Sequence, residues 1–257
     1  MSKKVEMIPL FKGSDNSRGL VAYISKISFT DNDRQGEVDE LFYKLKSELC
    51  KLLFSCDKCF YIETPCIMPL DKLNTEYQNS DMVFKIANKS NLCLAPETTK
   101  ASYEVAEYLI NKGEVKDSFC VWQERQSFRN EKNEQSIGKH LHLPCFIQRE
   151  YQFFTQDDKD KTLTKQKEIA DIVLFLVKDY LTINARVVTS DRLPNYSLKT
   201  LDIEIQTHPD KWLEICSISL RNDFTKKGKN GKPYLNIEIA FGVSRMLFCE
   251  LYDDVDE

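Results

Sequence analysis

Two stretches decide the fold. Phe119-Cys-Val-Trp122 runs into Ser127-Phe-Arg-Asn-Glu131. After a polar loop through Gly138 comes an apolar-aromatic run from Leu143 to Phe154, which contains Phe146-Ile-Gln-Arg-Glu150-Tyr-Gln-Phe-Phe154. Both are rich in aromatic and β-branched residues, and together they read as one long antiparallel hairpin. Strand side chains alternate between faces, so Phe146, Gln148 and Glu150 share a face.

Upstream, Val38, Leu41, Phe42, Leu45, Leu49, Leu52 and Leu53 recur at helical spacing and predict a helix with one apolar face. Phe60-Tyr-Ile-Glu-Thr64 reads as a strand that stops at Pro65, which has no ladder donor. Residues 97–112 predict a helix, with Pro96 tolerated at its start and Gly113 as its stop. Before residue 35 the chain is mixed, with turn chemistry at Lys12–Asn16 and Asp31–Asp33.

Downstream, Ile169, Ile172, Val173, Leu176, Val177 and Tyr180 mark one face of a long helix. Strands follow at Arg186–Val188, Leu201–Ile205 and Trp212–Ile215, then a last helix from near Gly242. Hairpins with segregated helices predict an α+β domain, an antiparallel sheet flanked by helices, and argue against a doubly wound one.

The 257-residue chain is long enough for one large domain or two modest ones. Its 42% hydrophobic and 30% charged residues, with Gly and Pro at 8 each, exclude disordered and fibrous classes. A formal net charge of −4 argues against wholesale coating of nucleic acid and leaves room for a local basic patch. No apolar run approaches the roughly 18 residues that span a bilayer, so no membrane partner is expected. The first residues lack an apolar signal core. Nine Cys, an odd number, fit reduced thiols and a cytoplasmic location. Cys56-Asp-Lys-Cys59 has no second pair to complete a zinc site and reads as core thiols, with metal binding as the alternative.

Several polar residues sit where a scaffold has little use for them. Arg129 and Glu131 end the first hairpin strand, and Arg245 falls in the first turn of the last helix. Glu204, Glu214 and Glu238 lie in otherwise apolar strands, a costly place for unpaired carboxylates. Singly, each also fits an ordinary ion-pair or surface role. Their order and spacing carry the signal.

Three stretches resemble the signature motifs of class II aminoacyl-tRNA synthetases. Tyr61-Ile-Glu-Thr-Pro65-Cys-Ile-Met-Pro69 looks like motif 1 (about 38–69 with its helix), and the hairpin of about 119–154 looks like motif 2. Ile237-Glu-Ile-Ala-Phe-Gly-Val-Ser-Arg245-Met-Leu247 looks like motif 3, about 235–252. Leu94-Ala-Pro-Glu97-Thr-Thr99 is similar to a segment of glycyl-tRNA synthetases. Lys199–Glu204 and Trp212–Phe224 are similar to glycyl, seryl and prolyl enzymes. The resemblance keeps motif order over residues 38–252. It implies one class II synthetase-like catalytic domain across 1–257, with no anticodon-binding domain after motif 3.

The resemblance also implies roles. Arg129 and Arg245 are the catalytic arginines, Arg129 on the ATP α-phosphate and Arg245 beneath adenine and on the γ-phosphate. Glu131 reads the adenine edge and Phe146 stacks on it. Glu97, Gln148, Glu150, Arg221 and Glu238 line the amino-acid site, with Glu97 and Glu150 on the ammonium. Glu214 and Ser217 hold Mg2+. The implied function is ATP-dependent activation of a small amino acid, glycine first, and its transfer to tRNA. The implied partners are a tRNA acceptor stem and a second copy of the chain.

Two departures bear on the amino acid. Ala95 stands where the glycyl pattern has Arg, and Ala240 removes a hydroxyl from the pocket. Two other functions stay open: a non-catalytic accessory subunit, and a ligase loading an amino acid on a carrier or other protein. His140-Leu-His142 with Cys145 reads as a solvated loop, a nucleic-acid contact or a metal site. Lys226–Lys232 reads as a solvated hairpin turn, with phosphate binding as the alternative.

Overall fold

The computed structural model describes residues 5–10, 20–25, 34–53, 58–89, 91–130, 143–191, 193 and 195–248. In chain order these form β1 (Val5–Leu10), β2 (Leu20–Ser25), α1 (Arg34–Leu53), β3 (Cys59–Tyr61), β4 (Ile67–Pro69), a 3-10 turn (Leu70–Lys72), α2 (Thr75–Gln78) and β5 (Leu92–Leu94). Then come α3 (Thr99–Lys112), β6 (Ser118–Phe128), β7 (Cys145–Thr155), α4 (Lys159–Leu181), β8 (Ala185–Thr189), β9 (Ser197–His208), β10 (Lys211–Arg221), β11 (Leu235–Gly242) and α5 (Val243–Phe248).

The class is α+β, as expected. A seven-stranded sheet runs in the order β3-β6-β7-β11-β10-β9-β8. The expected hairpin is β6 with β7, paired from Ser118↔Thr155 to Phe128↔Cys145. All neighbours are antiparallel except β3, which runs parallel to β6. The sheet is therefore mixed at one edge. The long stretch between β3 and β6, which includes α3, provides the crossover that parallel pairing needs.

One sheet face is apolar and carries α1 and α4. Val38, Leu41, Phe42, Leu45 and Leu49 of α1 meet Ile169, Val173, Leu176 and Val177 of α4 over Ile203, Ile218, Ile237 and Phe241. Both helices thus bury the stripe their periodicity predicts, although Ile172 and Tyr180 only border it. The side chains of Leu52 and Leu53 lie outside the described residues. Arg149 also faces this side; it pairs with Glu124 at 2.6 Å and lies 3.8 Å from the Phe42 ring centroid. A stacked guanidinium with a carboxylate partner is tolerated beside an apolar layer.

The opposite face is shared. Near β6, α3 covers it with Tyr103, Ala106 and Ile110 packed on Phe119, Val121 and Phe154. Beyond α3 the face is open and polar.

Boundaries differ from the sequence reading in physically simple ways. The strand expected over Phe60–Thr64 spans only Cys59–Tyr61, because Thr64 and Pro65 turn their carbonyls toward Arg125. α3 begins at Thr99, not Glu97. Glu97 instead lends its carboxylate to the helix start, accepting from Thr99 N–H at 2.7 Å and Lys100 N–H at 3.4 Å. Gly113 ends α3 in the left-handed region, φ 75°, with its N–H on Ile110 O at 3.0 Å. The β1–β2 and β4–β5 pairs had no clear signal in the sequence.

The face assignment of α4 is testable at two adjacent residues. Leu176 is buried, whereas Phe175 is 65% exposed. Leu176→Ala should cost about 2–5 kcal/mol in urea denaturation, and Phe175→Ala about 0.5 kcal/mol or less.

Candidate active site

On the open face the sheet floors a cavity of about 430 Å³. Its lining includes Glu97, Arg129, Phe146, Gln148, Glu150, Glu214, Ser217, Arg221, Glu238 and Arg245. Every described residue to which the resemblance gave a nucleotide, amino-acid or magnesium role is therefore in one place, while Cys59 and Cys145, the described members of the two alternative metal readings, are not among the lining residues. Glu131, with His140 and His142, lies outside the described residues.

Strand alternation explains half of the site. Along β7, Phe146, Gln148, Glu150 and Gln152 face α3 and the cavity, while Ile147, Tyr151 and Phe153 face the helices α1 and α4. β11 repeats the pattern, with Ile237, Ile239 and Phe241 in the core and Glu238 and Ala240 toward the cavity.

At this end three carboxyl groups converge under cover. Glu150 is 1% exposed, Glu238 8% and Glu97 9%. Gln152 Nε2 donates to Glu150 Oε1 and to Glu238 Oε2, each at 2.7 Å. Thr99 Oγ1 lies 2.6 Å from Glu238 Oε2 and 3.3 Å from Glu150 Oε2. A hydroxyl has one proton to donate. Given to the nearer Glu238, it leaves the Glu150 contact hydrogen-bonded only when Glu150 is itself protonated. The electrostatics agree: burial first, then the charges of Glu238 and Glu97, push the Glu150 carboxyl up to about 8.

Arg221 is the guanidinium of this cluster, and its donors are engaged. Nη1 donates to both oxygens of Glu238 at 2.9 and 3.0 Å, while Nε and Nη2 donate to Asp223 at 3.0 and 2.8 Å. The group also lies 4.0 Å from the Tyr196 ring centroid. Burial acts to raise the pKa of Asp223, but hydrogen bonds and charge from Arg221 and Lys100 hold it down to about 2. Glu238 and Asp223 thus hold Arg221 from two sides, so its primary effect is to fix Glu238.

The other half of the site depends on a β-bulge. Glu214 and Ser217 are three residues apart and would point to opposite faces of a regular strand. The pairing of β10 with β9 shifts between Glu214 and Cys216, so Glu214 faces Glu204 while Ser217 faces Asp202. Ile215 and Cys216 both enter the core, and Leu213, Ile218 and Leu220 keep the apolar register on either side. The extra residue leaves Glu214, Ser217, Ser219 and Arg221 all on the cavity. The signal was present in Leu213-Glu-Ile-Cys-Ser-Ile-Ser-Leu220, where alternation breaks at Ile215-Cys216.

The carboxylates expected in apolar strands have unequal settings. Glu238 is buried and paired; Glu204 is half-buried and bridged to Arg186 at 2.7 Å; Glu214 is exposed in the cavity. Desolvation within the cleft still raises the Glu214 pKa, against the pull of Arg245 and with Asp202 adding to the rise. Among the described residues no group of three or more His, Cys, Asp or Glu gathers to hold a metal. Glu214 and Ser217 are an oxygen-only pair. That suits magnesium, which takes one or two protein oxygens and fills its shell with water and phosphate.

The two arginines are held by carbonyls. Arg129 Nε donates to Pro96 O at 3.1 Å, and its guanidinium lies 5.0 Å from the Phe146 ring centroid. Arg245 Nη1 donates to Glu214 O at 2.9 Å. Thr99, Gln152, Asp223 and Tyr196 belong to this site and were missed in the sequence. Gln152 extends the Phe146, Gln148, Glu150 alternation and was readable; Thr99 carries no local signal.

No protein-family model matches the chain, and no curated protein matches it significantly. The site therefore rests on its own geometry.

That geometry gives a pH signature. Below 4.5, the ordinary glutamate value, Glu150 is protonated whether folded or unfolded, and between there and about 8 only the folded chain keeps the proton. Stability should fall with rising pH across this window, by at most about 1.4 kcal/mol per unit from this group. Glu150→Gln should therefore become increasingly more stable than wild type in urea denaturation from pH 5 to pH 8.5. An equal difference at both pH values would show that Glu150 is ionised throughout.

Proposed function

We propose that the cavity activates a small amino acid with ATP, in the manner of a class II aminoacyl-tRNA synthetase, and transfers it to tRNA. One observation supports this above others. Two guanidinium groups, Arg129 and Arg245, share an open cavity with a buried carboxylate cluster built from Glu97, Glu150 and Glu238. The first pair suits polyphosphate; the second suits an ammonium, since a buried cation needs carboxylate partners.

In this reading the amino-acid carboxylate attacks the ATP α-phosphorus and pyrophosphate leaves. Arg129 neutralises the charge that develops on the α-phosphate, and Arg245 holds the far phosphates. Phe146 offers a ring face for adenine. Glu97, Glu150 and Glu238, braced by Thr99, Gln152 and Arg221, hold the ammonium, with Gln148 beside them. Glu214 and Ser217 would hold Mg2+, which would supply charge screening for the nucleotide phosphates. Ala240 borders the amino-acid end and presents only a methyl group, consistent with glycine or another small substrate.

Pyrophosphate exchange with each of the twenty amino acids tests the reading. Exchange should be stimulated by glycine or another small amino acid, and Arg129→Ala or Arg245→Ala should lower it by about 10²–10³-fold. A folded wild-type protein that supports no exchange would favour an accessory subunit. Exchange with transfer only to a protein would favour a carrier-loading ligase.

A homodimer completes the proposal. β3 is an edge strand, and Tyr61 on it (53% exposed), Ile67 on β4 (49%) and Tyr43 on α1 (81%) leave large side chains uncovered beside the motif 1-like segment. Such surface invites an isologous contact. Light scattering at micromolar concentration should give twice the chain mass, and Tyr61→Asp with Ile67→Asp should return it to the monomer. A monomeric wild type would refute the dimer.

A further inference from the structure

At the end of the β6–β7 hairpin remote from Arg129, lysines from three separate segments come together. The β10–β11 turn supplies Lys226, Lys227, Lys229 and Lys232; its backbone closes on itself through Gly228 N–H to Lys232 O at 2.9 Å and Tyr234 N–H to Lys226 O at 3.1 Å. The turn is fastened to the sheet by Gln156, which exchanges hydrogen bonds with Asn230 at 2.8 and 3.1 Å. The end of α3 supplies Lys112, and the loop after it Lys116. Lys229 Nζ would lie 2.5 Å from a Cβ placed on Gly113, and Tyr234 Oη donates to Lys116 O. Lys58 joins from the β3 side, its ammonium donating to Glu114 O.

This is a fixed arrangement rather than a floppy run. All of these lysines are exposed save the half-buried Lys226. Glu107, Glu114 and Asp117 lie among them, and Glu107 reaches Lys226 only at 3.9 Å. Nearby Asp157 and Asp158 are taken by Lys165 and Lys161. Lysines outnumber free carboxylates by more than two to one here, on a chain of formal net charge −4. The remaining surface is correspondingly acidic, which focuses a polyanion on this end.

The patch includes one aromatic. Tyr108 is 59% exposed, and Lys112 Nζ lies 5.6 Å from its ring centroid. Cations beside an exposed ring suit a phosphate backbone with an unpaired base to stack. A membrane surface would require several apolar side chains to insert. Among the described residues Tyr108 is the large exposed one here.

We propose that this lysine face binds RNA, with Lys112, Lys116, Lys227, Lys229 and Lys232 on phosphates and Tyr108 stacked on a base. It is a second surface, separated from Arg129 and Phe146 by the 11-residue length of β7, roughly 35 Å. It stands whether or not the cavity is catalytic.

Fluorescence anisotropy with a labelled RNA hairpin bearing a single-stranded tail, over a salt series, tests it on the full chain. The combined Lys227→Glu, Lys229→Glu and Lys232→Glu variant should bind at least about tenfold more weakly, with a salt slope shallower by about 3. Lys112→Glu with Lys116→Glu, on a different element, should act in the same direction and guards against a local folding defect in the turn. Tyr108→Ala should weaken binding of the tailed hairpin more than that of a blunt one. Unchanged affinity and slope in both charge-reversal variants would overturn the proposal. So would binding to phosphatidylserine vesicles without binding to RNA.

Discussion

Three carboxyl groups buried side by side set the terms for the rest of this structure. Left alone, Glu97, Glu150 and Glu238 would repel one another in a poorly hydrated site, at a cost that few folds sustain. Each is tolerated for a different reason. Glu97 accepts from the first N–H groups of α3. Glu238 shares Arg221 with Asp223. Glu150 has neither, and the remaining solution is a retained proton, with Gln152 and Thr99 arranged around it. In the proposed reading, the cluster exchanges that proton for the ammonium of the amino acid.

The same requirement explains why α3 sits where it does. Its N-terminus delivers Thr99 and caps with Glu97, while its body packs on Phe119 and Phe154 through Tyr103 and Ala106. Tyr103 Oη in turn lies 2.9 Å from both Asp223 Oδ1 and Asn236 Oδ1, with one proton to give. The helix is therefore both a lid on one part of the sheet and a wall of the cavity. Displacing it would take from Glu97 the N–H groups it accepts from, and from Glu150 and Glu238 the Thr99 hydroxyl.

Periodicity made the large elements legible. The stripes of α1 and α4 and the two arms of the β6–β7 hairpin needed only apolar spacing, because burial on one face enforces it. Glycine made the end of α3 legible, since Gly113 takes a backbone conformation that other residues adopt at a cost. The start of α3 was not, because a glutamate two residues ahead of a helix looks the same whether it caps or continues it. The parallel pairing of the edge strand was hidden too: three residues carry no pairing direction. In the site, strand alternation exposed Phe146, Gln148 and Glu150, while the bulge at Ile215-Cys216 decided which residues of β10 could join them. Thr99 was invisible, since its role comes from two strands that are distant in sequence.

The account turns on whether the carboxylate cluster and the two arginines serve one ligand that carries both an ammonium and an adenosine phosphate. Calorimetric titration with a non-hydrolysable glycyl-adenylate analogue addresses that directly. The account predicts one site per chain, with release of a proton near pH 7 and marked weakening in Glu150→Lys, whose own ammonium would compete. Saturable binding of ATP alone, with no gain from the attached amino acid and no proton released, would contradict it.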